Sequence, residues 1–333
     1  MELIAGDIGG TKSWLVWETT RASGARQLRF EKSYPSAQFS SAAQLVRQFI
    51  DEARTGLAPD ALTLALPGAV HQQPIRLTNL DWTLDAAELR VALKLPVVHF
   101  INDFQAAAAG LASLQAQEVV ALNSATPEPG GVRVITGAGT GLGLAFMLTD
   151  ATGIPRLCAT EGGHIDFAPA NTQQQRLLTT LQAQYGHVSW ERVASGSAMN
   201  DLYHFCRAEQ GLTPTEEALD GASLSARAAG GDAVADATLA LFVTLYGAWV
   251  GNVALLYQPF GGLYLAGGVT THLMNRLRAP GFMAAARDKG RMRHVVERTP
   301  VFAVTSPRLG VQGALAWARE QALGSQMNSN KAA

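Results

Sequence analysis

The chain has 333 residues, of which 47% are hydrophobic and 16% are charged, and its formal net charge is -1. This composition can bury a large core and excludes an intrinsically disordered protein, while the length favours two domains. The nearly balanced charge, without a basic stripe, argues against nucleic acid as a partner.

Strands and helices alternate along the first 100 residues. Apolar runs predict strands at 3–5, 14–17, 29–33, 61–66 and 96–100, and periodic runs predict helices at 44–54 and 85–93. Asp85 is the expected N-cap of the second helix, with Glu88 three residues later. Because the first strands look like a hairpin and the later ones alternate with helices, we predict a mixed sheet with helices on its faces.

The turn after the first strand has the sequence GDIGGTK at 6–12. Glycines let the backbone turn sharply, and its N–H groups can then converge on an anion such as phosphate, with the Thr11 hydroxyl as a further donor. Asp7 would repel a phosphate unless a cation lay between them, so it is the candidate Mg2+ ligand, directly or through water. The alternative is a purely structural β-hairpin with a tight glycine turn.

Asn102 and Asp103 lie where the strand at 96–100 gives way to an Ala-rich helix at 105–114. In open α/β sheets, ligands bind at that end of the strands. We therefore hypothesise that Asp103 takes a proton from a sugar hydroxyl and that Asn102 helps to hold the sugar. The alternative is that both residues only cap the helix, as Asn and Asp commonly do.

A second glycine turn, TGAGTGLG at 136–143, lies between apolar runs at 132–135 and 144–148. Its glycines fall at alternate positions and a strand follows it, so it does not match a dinucleotide-binding GxGxxG turn. Its likeness to residues 3–17 indicates an internal repeat. Two such loops could hold the β- and γ-phosphates of ATP; the alternative is a duplicated hairpin without a ligand.

Ionisable groups cluster in the sequence EGGHIDF at 161–167. Glu161 can accept hydroxyl hydrogens and His164 can donate or accept, although His164 could instead be structural or, less plausibly, a metal ligand. The segment 186–196 resembles a helix start with Ser189 as its N-cap. Glu191 would then lie in the first turn, where the default role of an acid is to favour the helix dipole.

The last third of the chain contains an uncharged run at 237–257 with a GxxxG pattern, which we predict to be a buried helix and not a membrane span. A strand then ends at Gly267–Gly268, where a flat ring could lie against bare backbone. We also expect a strand at 301–304, a helix at 309–323 and a disordered tail at 325–333. The acidic N-terminus is no signal peptide, and two cysteines without a CxxC pair favour reduced thiols in the cytoplasm.

Six motifs together resemble those of bacterial glucokinases in the hexokinase–actin–Hsp70 superfamily: GDIGGTK (6–12), INDF (101–104), TGAGTGLG (136–143), EGGHIDFAP (161–169), WERVASG (190–196) and LAGGV (265–269). The resemblance covers nearly the whole chain in the order and spacing of the family. It implies an α/β, two-domain ribonuclease-H-like (actin-like ATPase) fold with mixed sheets and an interdomain cleft. The small domain would comprise 1–105 plus about 305–324, and the large domain 106–304.

The resemblance also implies an activity, the ATP-dependent phosphorylation of D-glucose to glucose 6-phosphate, with Mg2+ as cofactor. The general base falls on Asp103, and the implied glucose ligands are Asn102, Asp103, Glu161, His164 and Glu191. The implied ATP contacts are Asp7, Gly9, Gly10, Thr11, Gly137, Gly139, Thr140, Gly141, Gly267 and Gly268. The cysteine-rich zinc loop of the related ROK kinases is absent from the sequence, so zinc is not expected.

Three alternatives stay open at this point. The chain could phosphorylate a related hexose or an N-acylhexosamine, act as a non-catalytic sugar sensor, or be an ATPase-type chaperone or scaffold. The expected partners are glucose and ATP, without nucleic acid or membrane, and we expect a cytoplasmic homodimer because closed dimers are the commonest oligomers.

Overall fold

The computed structural model describes residues 1–331 apart from 22, 69, 71, 78, 79, 151–154 and 214, and the side chains of residues 323–331 also lie outside the description. The sequence TNLDW at 78–82 predicts a polar loop, and residues 78 and 79 of that loop lie outside the described residues.

The described part of the chain contains thirteen strands and thirteen α-helices. The strands are β1 Glu2–Ile8, β2 Lys12–Thr20, β3 Arg26–Pro35, β4 Ala61–Leu66, β5 Ile75–Arg76, β6 Thr83–Leu84, β7 Val97–Asn102, β8 Val119–Ala121, β9 Arg133–Ala138, β10 Leu142–Thr149, β11 Pro155–Thr160, β12 Gly262–Ala266 and β13 Val301–Val304. The helices are α1 Ala42–Ala53, α2 Ala86–Leu93, α3 Asp103–Gly110, α4 Thr172–Tyr185, α5 Glu191–Ala194, α6 Ala198–Glu209, α7 Gly221–Ala229, α8 Ala233–Tyr257, α9 Gly268–His272, α10 Met274–Leu277, α11 Pro280–Arg287, α12 Arg293–Arg298 and α13 Leu309–Lys331.

The chain divides into two compact units. The first unit is Met1–Gln115 with Ser306–Ala333, and the second unit is Ala116–Thr305. The first boundary lies about ten residues beyond the one expected at 105, because α3 packs against α13 and so belongs to the first unit.

Each unit is built on a mixed sheet with the same topology. The order is β3-β2-β1-β4-β7 in the first unit and β11-β10-β9-β12-β13-β8 in the second. In both sheets a three-stranded antiparallel meander is followed by two parallel strands, and β8 extends the second sheet. This shared strand order supports the predicted internal repeat.

Helices cover both faces of the first sheet because its strands are apolar on both faces. Ile4 of β1 belongs to a core that includes the buried side chains of α1, whereas Leu3 and Ala5 belong to a second core with Val311 and Leu315 of α13. Successive residues of β1 therefore alternate between two cores, as the period of a strand requires.

The second unit is organised around α8, whose apolar run is the one expected to form a buried helix. This helix is long and apolar enough to cross a membrane by length and composition, but 72% of its most apolar window is buried inside the unit. Its GxxxG glycines allow a close helix contact, since a Cβ added at Gly247 or Gly251 would collide with the carbonyl oxygens of Phe282 and Ala286 in α11. The prediction of a buried core helix is confirmed.

Several element boundaries differ from the sequence-based expectation. Helix α3 ends at Gly110 and continues only as a 3-10 turn at Leu111–Ser113, whereas we expected helix up to 114. The backbone of α13 is helical to Lys331, beyond the expected end at 323. The expected disordered tail at 325–333 stays a prediction, because its side chains and last two residues lie outside the description.

Candidate active site

Three parallel strands of the first sheet end at one edge and bring Asp7 and Asp103 to that edge. Asp7 in β1 is in register with Ala65 in β4, and Ala65 is in register with Ile101 in β7. Asp7 therefore lies two strand spacings, about 10 Å, from the strand that leads into Asp103. The first glycine turn follows β1 at the same edge, so one sheet edge carries the candidate base, the candidate metal ligand and a candidate phosphate loop.

The first glycine turn, Gly9–Gly10–Thr11, is braced by the segment Ser36–Gln38. The Gly9 N–H donates to the Lys12 carbonyl at 3.1 Å, which closes the turn. The Ser36 hydroxyl donates to the Gly9 carbonyl at 2.6 Å, and the Ser36 N–H donates to the Thr11 carbonyl at 3.0 Å. These hydrogen bonds hold the turn rigid. The bonds from Ser36 are accepted by backbone carbonyl groups, so the Thr11 side chain stays exposed.

Asn102 is the N-cap of α3, which is the helix-capping role given above as the alternative to sugar binding. Its Oδ1 accepts from the N–H groups of Phe104 at 3.0 Å and Gln105 at 3.1 Å, and its Nδ2 donates to the Gly68 carbonyl at 3.1 Å. Oδ1 of Asp103 accepts from the Phe104 N–H at 2.9 Å. These bonds hold both side chains in place at the end of β7, where each side chain is half-buried.

Asp7 is half-buried at the end of β1, and the start of α13 packs closely against its carboxylate. Burial raises the pKa of Asp7 to about 6. A carboxylate oxygen on a rigid strand end is a donor that suits Mg2+, which combines one or two protein carboxylates with phosphate oxygens and water. A cation at this position would also favour the charged form of Asp7.

The second glycine turn, Gly139–Thr140–Gly141, joins β9 to β10. The Gly139 N–H donates to the Gly141 carbonyl at 2.9 Å, and the Gly196 N–H donates to the Gly139 carbonyl at 2.8 Å. The Ser197 hydroxyl donates to the Thr140 carbonyl at 2.8 Å. This turn is thus braced through its carbonyl groups by the segment after α5, in the same manner as the first turn is braced by Ser36.

Gly137 does not lie in the second turn, although the family motif had placed it among the ATP contacts. It is a buried residue of β9, in register with Gly143 of β10 and Ala266 of β12. A Cβ at Gly137 would collide with the Ala266 carbonyl. The structural reason for glycine here is therefore close packing of strands.

Gly267 and Gly268 lie where β12 passes into α9. Gly267 has a φ of 93°, which favours glycine, and a Cβ there would lie 2.6 Å from the Ala138 carbonyl oxygen. A Cβ on Gly268 would meet no atom within 4 Å. The bare backbone of this turn therefore lies directly beside the second glycine turn.

Glu161, His164 and Glu191 converge on one another in the second unit. His164 Nε2 lies 3.9 Å from Glu161 Oε2, and His164 Nδ1 lies 4.0 Å from Glu191 Oε1. The Glu161 and His164 side chains are 66% and 58% exposed, whereas Glu191 is only 29% exposed. The structure therefore brings together the three ionisable residues that the two motifs carry separately.

A short antiparallel pairing holds these two motifs side by side. The Phe167 N–H donates to the Val188 carbonyl and the Trp190 N–H donates to the Ile165 carbonyl, both at 3.0 Å. Ser189 takes part in this pairing opposite Asp166, so it does not cap a helix as predicted. The helix α5 starts later, with Trp190 at its N-cap and no side-chain cap.

Glu191 also contacts the second glycine turn. Its Oε2 accepts from the Leu142 N–H at 2.9 Å, and a Cβ at Gly141 would lie only 2.5 Å from that oxygen. This contact spans 49 residues of sequence, and no local pattern indicated it. One carboxylate therefore connects the candidate phosphate turn to the cluster around His164.

Comparison with known proteins gives the family. The family model described as Glucokinase matches residues 4–321. The chain is 35% identical to a glucokinase of Nostoc punctiforme, over 94% of this chain and 97% of that protein. It is 33% identical to a glucokinase of Yersinia pestis, over 98% of both chains. The chain belongs to the glucokinase family.

A solved member of the glucokinase family shares the fold. The crystal structure of a glucokinase from an Antarctic psychrotroph superposes with a TM-score of 0.81 at 30% sequence identity, covering 96% of this chain and 99% of that one. The actin-like ATPase fold with mixed sheets, expected from the family motifs, is therefore confirmed.

Proposed function

We propose that the chain catalyses the ATP-dependent phosphorylation of D-glucose to glucose 6-phosphate, with Asp103 as the general base. The observation that carries this proposal is the shared sheet edge of the first unit. There Asp7 lies near the end of β1, the first glycine turn follows β1, and Asp103 follows β7, with the register of both strands fixed by β4 between them. Membership of the glucokinase family supports the same activity.

Asp103 accepts the proton of the sugar's 6-hydroxyl as that oxygen attacks the terminal phosphoryl group, and the bond from this phosphorus to the bridging oxygen breaks, which releases ADP. A positioned carboxylate can serve as the base because it is fixed by the start of α3, where Oδ1 already accepts from the Phe104 N–H. The separation of about 10 Å between β1 and β7, which are two strand spacings apart, leaves room for a terminal phosphate and the attacking oxygen. Phosphoryl transfer needs chiefly such positioning, together with stabilisation of charge.

The sugar is held by groups that accept hydrogen bonds. Glu161, His164 and Glu191 offer polar atoms within one cluster of the second unit, and Asn102 and Asp103 offer carbonyl and carboxylate oxygens in the first unit. A ligand rich in hydroxyl donors suits this set.

The phosphates of ATP are bound by the two glycine turns. The turns Gly9–Thr11 and Gly139–Gly141 are closed by the N–H groups of Gly9 and Gly139 and are braced through their carbonyl groups. The Thr11 and Thr140 hydroxyls and the remaining N–H groups of the two turns are the donors for an anion. Gly267 and Gly268 lie beside the second turn and offer bare backbone to the adenosine. The ATP contact of Gly137, which lies in β9, stays a prediction.

Mg2+ would be held by Asp7, directly or through water, together with phosphate oxygens. When bound, it neutralises charge on the phosphates and orients the terminal phosphoryl group. The contribution of the chain is to present the Asp7 carboxylate from the rigid end of β1, beside the first glycine turn.

We further propose that the protein is a cytoplasmic homodimer with reduced thiols. Cys206 is buried, and burial raises the pKa of its thiol, which disfavours the reactive thiolate. Sedimentation of the purified chain tests the dimer, and a monomer at micromolar concentration would contradict that part of the proposal.

The activity is tested by measuring ATP consumption with glucose, fructose, mannose and N-acetylmannosamine, with the product identified as a 6-phosphate. We expect the highest kcat/KM with glucose and negligible consumption without sugar. A preference for another sugar would reassign the substrate, sugar-independent consumption would indicate an ATPase, and sugar binding without consumption would indicate a sensor.

A further inference from the structure

The start of α13 touches the Asp7 carboxylate. Gly310 is the second residue of this helix, and the three atoms nearest to a Cβ built on it all belong to that one carboxyl group. Such a Cβ would collide with Oδ2 and lie 2.7 Å from Cγ and 3.3 Å from Oδ1. Gly310 therefore leaves open the space that the carboxylate occupies.

The backbone conformation does not explain glycine at this position. Gly310 is helical and is not among the glycines with a positive φ. In a helix, glycine loses more conformational entropy on folding than alanine does, so it is locally unfavourable. The nearby carboxylate is the feature that makes a larger residue costly.

Helix α13 packs closely against both α3 and β1. A Cβ at Gly110 of α3 would collide with the Leu309 carbonyl, and a Cβ at Gly313 would collide with the Ala106 carbonyl. The two helices are thus already in backbone contact, and Val311 is buried against β1. Because these contacts hold the helix while the Asp7 carboxyl group can rotate, movement of the Asp7 side chain is the easiest way to accommodate a methyl group at position 310.

We propose that Gly310 is a positioning residue that seats the Asp7 carboxylate for the cation of the ATP complex. This inference rests on the proposed role of Asp7 as the Mg2+ ligand. Gly310 itself contacts no substrate, and it acts by giving the carboxylate one position against α13. A methyl group at 310 displaces that carboxylate away from the helix start and leaves the sugar-binding residues in place.

The test compares Gly310→Ala with Gly281→Ala. Gly281 is likewise the second residue of a helix, α11, and a Cβ there would meet no atom within 4 Å. Calorimetry measures the affinity for a non-hydrolysable ATP analogue with and without Mg2+, and tryptophan fluorescence measures the affinity for glucose. We expect Gly310→Ala to reduce the Mg2+-dependent gain in nucleotide affinity by about tenfold or more, since changing a group that orients a metal ligand typically costs about 10- to 100-fold in metal affinity. Glucose affinity should stay within about twofold of wild type, since the cause is local to Asp7.

Gly281→Ala should match the wild type in all of these measurements. If Gly310→Ala also keeps the full Mg2+-dependent gain, the positioning role is wrong. If Asp7→Ala keeps that gain, the failure belongs to the proposed role of Asp7 in binding the cation.

A double variant keeps the inference testable if Gly310→Ala does not fold. Asp7→Ala removes the group with which the new methyl collides, so Asp7→Ala/Gly310→Ala should fold with a Tm close to that of Asp7→Ala alone. A double variant that is destabilised as strongly as Gly310→Ala would show that the obstruction lies elsewhere and would overturn the inference.

Discussion

The variant Glu191→Gln separates the sugar-binding function of the carboxylate from its contact with the second glycine turn. In the native chain, Oε2 accepts from the Leu142 N–H at 2.9 Å, while Oε1 faces His164. A glutamine can keep the first contact only by directing its amide oxygen to Leu142. Its NH2 group then faces the side from which a sugar hydroxyl would donate.

The expected magnitude follows from these two contacts. A hydroxyl that loses its acceptor costs about 1–3 kcal/mol, which is about a 5- to 150-fold increase in the KM for glucose. The hydrogen bond from the Leu142 N–H is kept, but its acceptor is then a neutral amide oxygen and no longer a charged carboxylate. This change costs roughly 0.5–1 kcal/mol, or about a two- to fivefold increase in the KM for ATP. The variant should therefore raise the KM for glucose more than the KM for ATP.

The assay is steady-state kinetics with each substrate varied at saturating levels of the other, and Glu191→Ala is the matched comparison. Alanine also removes the acceptor of the Leu142 N–H, so it should raise the KM for ATP well beyond the value for glutamine. If the KM of Glu191→Gln rose more for ATP than for glucose, the assignment of Glu191 as a glucose ligand would be wrong.

Two further predictions concern stability. Gly137→Ala should lower the free energy of unfolding by about 1–3 kcal/mol in urea, because its Cβ collides with the Ala266 carbonyl, whereas Gly139→Ala should leave stability unchanged because its Cβ meets no atom within 4 Å. Equal losses in the two variants would contradict this. Burial lowers the pKa of His99, which lies edge-on to Trp317, so the native chain binds fewer protons there than the unfolded chain. The free energy of unfolding should therefore fall as the pH drops from 7.5 through 6.5 to 5.5, and His99→Phe should reduce that fall. An identical fall in both proteins would show that partial burial of His99 does not cause it.

Local sequence patterns were sufficient where an element is bounded by strong local signals. The strands Ala61–Leu66 and Val301–Val304 match the predicted bounds, because short apolar runs end at turn residues. Asp85 caps α2 by accepting from the N–H groups of Ala87 and Glu88, as the capping pattern predicted. The repeated strand order of the two sheets was also indicated by the two glycine turns.

Long-range contacts could not be inferred from local patterns. Ser189 has the composition of a helix cap, but a pairing with Asp166, 23 positions earlier, decides its conformation. The glycines that join α3 to α13 are about 200 positions apart, and no periodicity within either helix indicates the partner. The packing of Gly137 inside the sheet could not be predicted either. The glycine-rich motif has the same sequence whether this glycine lies in a turn or packs closely against a neighbouring strand.

The most direct test of the account is the kcat of Asp103→Asn, measured with the affinity for ATP and the Tm. Asparagine can still accept from the Phe104 N–H, so the start of α3 should be preserved while the proton acceptor is lost. The account predicts a fall in kcat of at least about 100-fold, with ATP affinity and Tm close to those of the wild type. A folded Asp103→Asn variant that phosphorylates glucose at nearly the native rate would show that this residue only caps its helix.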